Sequence, residues 1–301
     1  MRGRGLLIGS VFAAIVVTVL TTVILLVVEP GLSKAEAIKT GGLSGGAVVA
    51  LYALWLNDRR RRTDEARHEL ESDKAADERF ARSIELLGNE ADQVRVGALH
   101  ALAWLADVTP RYKQTVLDVF CAYLRRPFTH PSYSQCPDNP DQVTSDDSSE
   151  ADRERQVRRT AQRLIRNLLP YGQNPDQRTY HLDLTGASLE YFRLEARTRI
   201  GRLTARQARF YGITRLSEMR VSSRALFTRA TFLGRVDLSG TRFEGGISFQ
   251  ETTFHGEVTF KGASVGAFID LNTVPPERQV GTLTIAEGTD VEGEPSSWSL
   301  S

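Results

Sequence analysis

Cysteine and histidine are scarce in this chain of 301 residues, which has two cysteines and five histidines. Cys121 and Cys136 have no second pair, so the sequence indicates neither a disulfide framework nor a zinc site, and we expect reduced thiols. No histidine has another one three or four residues away, so no metal-ligand motif appears. We therefore expect no metal and no cofactor.

Sequence motifs for catalysis are also missing. No Gly-rich phosphate loop stands between a predicted strand and a predicted helix. Cys121 lies beside Phe120 and Leu124 on the apolar side of a predicted helix, which is typical of a buried thiol with a raised pKa. The sequence therefore predicts no catalytic residue and a binding or scaffold protein. An enzyme or regulator whose site is assembled across domains without a motif is the alternative.

An excess of one charge is absent as well. The 38 basic residues nearly balance the 37 acidic ones, for a formal net charge of +1. Only five of the basic residues are lysine, and a high-GC coding bias explains this preference for arginine more simply than phosphate recognition does. The overall charge therefore indicates no class of partner.

A long uncharged run, Gly5 to Val28, opens the sequence with 24 residues. As a helix it would reach roughly 36 Å, which exceeds the ~30 Å hydrocarbon core of a bilayer. A cleaved signal peptide is the alternative, but the run is longer than the usual ~7–15 apolar residues and no A-x-A site follows it. The run therefore predicts a transmembrane helix.

A second apolar stretch, Thr40 to Leu56, stops before Asp58 and four arginines, Arg59 to Arg62. Its glycines suit close packing against the first helix. A buried or interfacial helix is the alternative. We predict a two-helix transmembrane hairpin over 1–57. Arginines before the first span and after the second place both ends in the cytoplasm by the positive-inside rule, so we expect a cell-membrane protein with a cytoplasmic C-terminal domain.

Helical periodicity continues over 58–126, the predicted juxtamembrane and helical region. One predicted helix ends at Gly88, a second spans Ala91 to Val108, and a third spans Pro110 to Arg126, so the last two resemble a HEAT-like pair. Residues 127–149 are rich in Pro, Ser, Asp and Asn and predict a flexible linker. Ser149 then caps a helix within 150–170, which we expect to cover the first edge of the following domain.

The strongest pattern is a repeat of 11 residues that runs through six units. Its marked positions alternate with polar ones, which is the pattern of strands buried on one face. We predict that the chain coils onto itself, with like residues stacked at roughly 4.8 Å, phenylalanine ladders inside and glycines at the corners. The column that sets the register is Phe210, Val221, Phe232, Phe243, Phe254 and Val265.

The motif at Leu184, Ala187-Ser188-Leu189 and Leu194 resembles the pentapeptide repeat A-(D/N)-L-x-x, and the later units resemble a longer-stepped, Phe-rich variant. Upstream segments such as Arg79 to Gly88 and Cys121 to Pro127 are similar to actinobacterial membrane proteins with pentapeptide repeats. The resemblance implies a four-sided right-handed β-helix over 181–273. After it, we predict one capping strand, Gln279 to Ala286, and a polar tail within 274–301. Arg197 to Arg206 breaks the register, so we expect irregular coils there.

The predicted fold is thus a membrane helical hairpin, a small all-α region and a C-terminal right-handed β-solenoid. Such a repeat scaffold, without a convergent polar cluster, is typical of a binding module, so we expect a protein partner of unknown identity. Some members of the family that it resembles mimic DNA with an acidic rod. Residues 181–273 instead carry 13 basic and nine acidic side chains, a net +4, which disfavours such a mimic.

Arginines of the solenoid alternate with the buried columns and should point outward. If one coil contains 22 residues, Arg220 stacks beside Arg242, and Arg215 stacks beside Asp237. These columns are either incidental surface or a site for an anionic partner, such as lipid headgroups or an acidic protein. Nucleic acid is disfavoured because no aromatic residues interleave with them. The candidate surface comprises Arg202, Arg209, Arg220, Arg224, Arg235 and Arg242.

Overall fold

The computed structural model describes residues 2–28, 34–135, 149–173, 176–194 and 197–301. The chain divides into two compact units, Met1–Ala75 and Ala76–Ser301. Most of the predicted linker 127–149, including Cys136, lies outside the described residues. The helices are α1 (Arg2–Val28), α2 (Lys34–Leu87), α3 (Asp92–Val108), α4 (Lys113–Arg125) and α5 (Glu150–Leu168), with short 3-10 turns at Pro110–Tyr112, Pro131–Gln135 and Pro295–Ser297.

The first unit contains α1 and the beginning of α2. Gly45 of α2 packs on Ala14 and Thr18 of α1 so closely that a Cβ added to Gly45 would lie 3.2 Å from the Ala14 carbonyl oxygen. Gly42 and Gly46 have no such neighbour within 4 Å. The predicted glycine packing between the two helices is therefore made by Gly45 and by neither of the other two.

The predicted transmembrane hairpin over 1–57 has no support in the described helices. None of them, within the described residues, is both long and apolar enough to cross a membrane. The second apolar stretch and the predicted juxtamembrane helix belong to one helix, because α2 continues past Asn57 to Leu87. Charged residues beyond Asn57 stabilise this helix through pairs one turn apart, such as Arg62 with Asp58 at 2.8 Å.

The second unit begins with the end of α2, followed by α3, α4 and α5. The helix α2 ends before Gly88 as predicted, and Ser149 caps α5 by accepting a hydrogen bond from the Asp152 amide at 3.0 Å. The helix α5 packs against both α3 and α4, so the expected HEAT-like pair is a three-helix arrangement. Its buried face continues into the solenoid in one hydrophobic core that extends from Leu87 to Trp298.

The rest of the chain forms a right-handed-type β-solenoid of about five turns. Its strands are β1 (Leu182–Asp183), β2 (Ser188–Glu190), β3 (Arg199–Ile200), β4 (Leu203–Thr204), β5 (Arg209–Tyr211), β6 (Thr214–Arg215), β7 (Arg220–Val221), β8 (Ala225–Leu226), β9 (Thr231–Phe232), β10 (Val236–Asp237), β11 (Arg242–Phe243), β12 (Ile247–Ser248), β13 (Thr253–Phe254), β14 (Val258–Thr259), β15 (Ala263–Val265), β16 (Phe268–Leu271), β17 (Gln279–Val280), β18 (Leu283–Ile285) and β19 (Asp290–Gly293).

The strands form four parallel sheets, which are the four faces of the solenoid. Face 1 contains β1, β4, β8, β12, β16 and β19; face 2 contains β2, β5, β9 and β13. Face 3 contains β6, β10, β14 and β17; face 4 contains β3, β7, β11, β15 and β18. From β4 to β16 the chain visits faces 1 to 4 in turn, so each of these coils contains two of the 11-residue units, as the stacking of Arg220 on Arg242 requires.

The expected irregularity near Arg197 to Arg206 is small. Residues 195–196 lie outside the described residues, but β3 and β4 join faces 4 and 1 like the later strands. Leu182 pairs with Leu203, which is 21 residues on, whereas Leu203 pairs with Ala225, which is 22 residues on. The first coil is therefore one residue shorter than the next, and this difference accounts for the break in the sequence register.

Phenylalanine ladders fill the core, but the rings of one ladder come from every second 11-residue unit. The rings of Phe210 and Phe232 stack with centroids 4.5 Å apart, and those of Phe232 and Phe254 stack at 5.3 Å. Phe243 does not join them, because its neighbours on face 4 are Val221 and Val265. A 22-residue coil separates the single sequence column into two ladders.

Both ends of the solenoid are covered. At the first edge the Gln114 side chain of α4 pairs with the His181 backbone, donating to its carbonyl and accepting from its amide, both at 2.9 Å. The amide of Gln114 thus replaces a neighbouring strand, a role that the sequence assigned to α5 alone. At the last edge the Trp298 ring, 6% exposed, stacks on Phe249 with centroids 5.8 Å apart.

Candidate functional site

The six arginines of the predicted surface are all exposed, but they do not form one surface. Arg202 and Arg224 immediately precede β4 and β8 on face 1, while Arg209 lies on face 2 and Arg235 immediately precedes β10 on face 3. Only Arg220 and Arg242 share face 4. A strand sequence shows which side chains point outward, whereas the face on which each one lies depends on where the chain turns.

Face 4 carries a row of three arginines, two of which are among the predicted residues. Arg199 pairs with Arg220, and Arg220 pairs with Arg242, so three guanidinium side chains start from adjacent strands. Strands in a sheet are about 4.8 Å apart. Together with Arg197, these arginines line a groove of about 480 Å³. We call this the face-4 groove.

Sequence reasoning missed Arg197 and Arg199 because both fall in the stretch that breaks the 11-residue register. The sequence nevertheless contains the spacing that places Arg199 on face 4. Arg199 stands 21 residues before Arg220, one residue less than the 22-residue coil. Allowing one deletion in the repeat would have found it.

Two carboxylates partly balance the face-4 groove. The Arg220 guanidinium forms an ion pair with Glu244, and Glu218 lies in the groove lining. Arg199 donates a hydrogen bond to the Asp176 backbone carbonyl at 2.8 Å, which holds its side chain against the solenoid. The groove therefore keeps an excess of positive charge, with four arginines against two carboxylates.

Arg215 differs from the face-4 arginines because one of its neighbours on the adjacent strand is acidic. It pairs with Asp237 on face 3, as the 22-residue coil predicts. On the other side it pairs with Arg193 in a single β-bridge.

Two features of the sequence resemble catalytic groups, Cys121 and a G-x-S-x-G pattern. Cys121 is 1% exposed, and burial, the largest cause, raises the pKa of its thiol to about 12. The expectation that catalytic motifs are missing is wrong for one pattern, because Gly42 to Gly46 has the spacing G-x-S-x-G. This pattern lies inside α2 rather than at the strand-to-helix turn that a nucleophile elbow requires. Among the described residues, no three His, Cys, Asp or Glu side chains form a group that could hold a metal ion.

Comparison with known families supports the repeat. Residues 217–264 match the model of the family described as Pentapeptide repeats (9 copies). No curated protein and no solved structure matches the chain. The predicted repeat resemblance is therefore confirmed for the central coils, while its membrane and actinobacterial parts have no support from these comparisons.

Proposed function

We propose that this chain is a non-catalytic binding protein whose face-4 groove receives an acidic surface of a partner protein. The main observation that supports this proposal is the pairing of Arg199 with Arg220 and of Arg220 with Arg242, which gives three arginines in one row. Pentapeptide-repeat solenoids are a common protein-interaction fold. The sheet fixes the backbone spacing of the three arginines before binding, which reduces the loss of conformational entropy on association.

Geometry favours a protein over the other anionic partners. A row of guanidinium groups at strand spacing suits carboxylates that also repeat along an extended segment or a helix, with paired hydrogen bonds to each. Nucleic acid is less suitable because the groove lining contains no aromatic side chain on which a base could stack. Anionic lipid headgroups are the other outcome that an experiment should distinguish.

Charge reversal tests the groove. The full chain with Arg220→Glu/Arg242→Glu is compared with wild type and with Arg206→Glu, an exposed solenoid residue outside the groove, by crosslinking in cells. We expect one captured protein to be lost in the double variant and retained in the control. Equal capture by all three chains, or binding of the wild type to anionic vesicles alone, would overturn the proposal.

We further propose attachment to the cell membrane through the N-terminal segment, with the solenoid in the cytoplasm. This proposal is supported by the uncharged run Gly5 to Val28 and the arginines Arg59 to Arg62 in the sequence. Reporter fusions placed after Arg62 should be active on the cytoplasmic side only. Recovery of the chain in the soluble fraction, or reporter activity only outside the cell, would refute the attachment or its orientation, respectively.

A further inference from the structure

A cleft of about 320 Å³ lies between α5 and the first coils of the solenoid. Both of its walls belong to the second unit, Ala76–Ser301. Five arginines line it: Arg159, Arg163 and Arg166 from α5, and Arg193 and Arg215 from the solenoid. We call it the α5 cleft, and it shares no lining residue with the face-4 groove.

Two regular spacings bring these arginines together. Arg159, Arg163 and Arg166 are four and three residues apart, so they lie on one side of the helix. Arg193 and Arg215 are bridge partners in successive coils, so their backbones lie about one strand spacing apart. The docking of α5 against the solenoid then turns two rows of arginine toward the same space.

Three of the five arginines that line the α5 cleft form no ion pair with a carboxylate of the described residues. Glu190 lines the cleft, but this side chain is 1% exposed and forms an ion pair with Arg155. Within the described ranges, Arg159, Arg163 and Arg215 form no ion pair. Like charges gathered around a small volume repel each other, so an anion in the cleft would be stabilised by several of them at once. Forked guanidinium donors match the oxygens of phosphate in particular.

Gln162 indicates a second property of the ligand, a hydrogen-bond donor. This residue is 9% exposed, lines the α5 cleft, and its Oε1 atom accepts no hydrogen bond from the described residues. A buried acceptor without a donor is unfavourable. A ligand hydroxyl could donate to this oxygen while phosphate groups contact the arginines.

We propose that the α5 cleft binds a phosphorylated polyol, either as a free metabolite or as the headgroup of a lipid. The arginines bind its phosphates, and Gln162 accepts a hydrogen bond from a hydroxyl group. Face 4 then binds the partner protein independently, so the two sites can be occupied together.

The test measures binding of inositol 1,4,5-trisphosphate to the purified full chain by titration calorimetry at moderate salt. We expect saturable binding that Arg163→Gln/Arg215→Gln weakens at least about tenfold, because two of the five charges are removed. Arg206→Gln, which removes an exposed charge outside the cleft, should bind like wild type, and uncharged inositol should not bind. Thermal melting of each variant verifies that it is folded.

Two further arms identify the source and the hydroxyl. Phosphatidylcholine vesicles with phosphatidylinositol bisphosphate should displace the trisphosphate if the natural ligand is a lipid, and should not if it is a free metabolite; vesicles of phosphatidylcholine alone are the control. Gln162→Met should weaken binding of the trisphosphate while binding of inorganic pyrophosphate is unchanged. Failure of the trisphosphate to bind, or an equal loss in Arg206→Gln, would show that these arginines are only a solvated surface.

Discussion

Arg155 of α5 and Glu190 of β2 form an ion pair in which each side chain is 1% exposed. The Arg155 Nε atom donates to Glu190 Oε2 at 2.8 Å, and a second guanidinium nitrogen donates to Oε1. Three residues on, the buried Arg158 donates to backbone carbonyls at the end of α4, including that of Leu124. These two arginines connect α5 to the solenoid on one side and to the helices on the other.

Removing one charge of the Arg155–Glu190 pair should destabilise the protein strongly. We expect Glu190→Gln to lower the free energy of unfolding by roughly 3–5 kcal/mol, because the Arg155 charge would stay buried without its counter-ion. Replacing both, as in Arg155→Met/Glu190→Leu, should cost less than the sum of the single changes. Urea denaturation followed by circular dichroism checks both values, and a loss below about 1 kcal/mol for Glu190→Gln would contradict the burial of the pair.

A second prediction concerns Phe243 in the solenoid core. This residue is 1% exposed, and its neighbours on the adjacent strands are Val221 and Val265. Phe243→Ala should lower the free energy of unfolding by about 3–5 kcal/mol through lost burial and the cavity left behind. The matched control is Thr253→Ala on the exposed side of β13, which should change it by less than about 0.5 kcal/mol. Equal shifts in melting temperature for the two variants would refute the register.

Gly234 is a corner at which two coils touch. A Cβ at this position would lie 2.4 Å from the Gly212 carbonyl oxygen, and that backbone atom cannot move without displacing the neighbouring coil. Gly234→Ala should therefore destabilise the protein by about 1–3 kcal/mol.

The control for that change is Gly97→Ala in α3, where a Cβ has no neighbour within 4 Å. Alanine is the better helix former, so this variant should gain up to about 1 kcal/mol. Thermal melting of the two variants should therefore shift in opposite directions. A stabilising Gly234→Ala would mean that the coils are farther apart than the structure shows.

Cys121 should be unreactive in the folded protein. Its thiol has a pKa raised by burial to about 12, so almost no thiolate forms at neutral pH, and the sulfur is also shielded from reagents. In a Cys136→Ser background, iodoacetamide should label Cys121 only after unfolding in urea. Rapid labelling of the native chain, detected by mass spectrometry, would contradict its burial.

The same thiol should make stability depend on pH at the alkaline end. The unfolded thiol ionises near its ordinary pKa of 9.0, while the folded one ionises near 12. The unfolded chain therefore loses the proton first, and the free energy of unfolding should fall as pH rises through this interval. The slope should be shallower in Cys121→Ala, when both chains are measured by urea denaturation between these two pH values.

Repetition explains how much of the solenoid could be predicted from the sequence. Phe210, Phe232 and Phe254 stack because they occupy the same position in successive coils, so their contact follows from a fixed interval along the chain. The outward direction of Arg220 and its neighbour Arg242 follow from the same interval. Each contact repeats a local rule, and a sequence pattern contains that rule in full.

The helices depend on the sequence in a different way. Val157, Ala161 and Ile165 recur at helical spacing in the sequence and form the buried face of α5, and Ser149 predicted its first turn. The same spacing could not show that Arg155 and Arg158 are buried, because charged residues are buried only when partners elsewhere in the fold receive them. Nor could it show that Gln114 would cover the first edge of the solenoid.

The sequence by itself determined the 11-residue repeat, the coiling that it implies and the columns that fill the core, since these depend on alternation and repetition along one chain. The structure decided that one coil contains two such units. Only the tertiary structure decided the contacts between α5 and the solenoid. Arg155 and Glu190 are 35 residues apart in a segment without a repeat, and the α5 cleft exists only where a helix docks on the solenoid. Such contacts depend on the packing of two unlike surfaces, for which a single sequence contains no periodic signal.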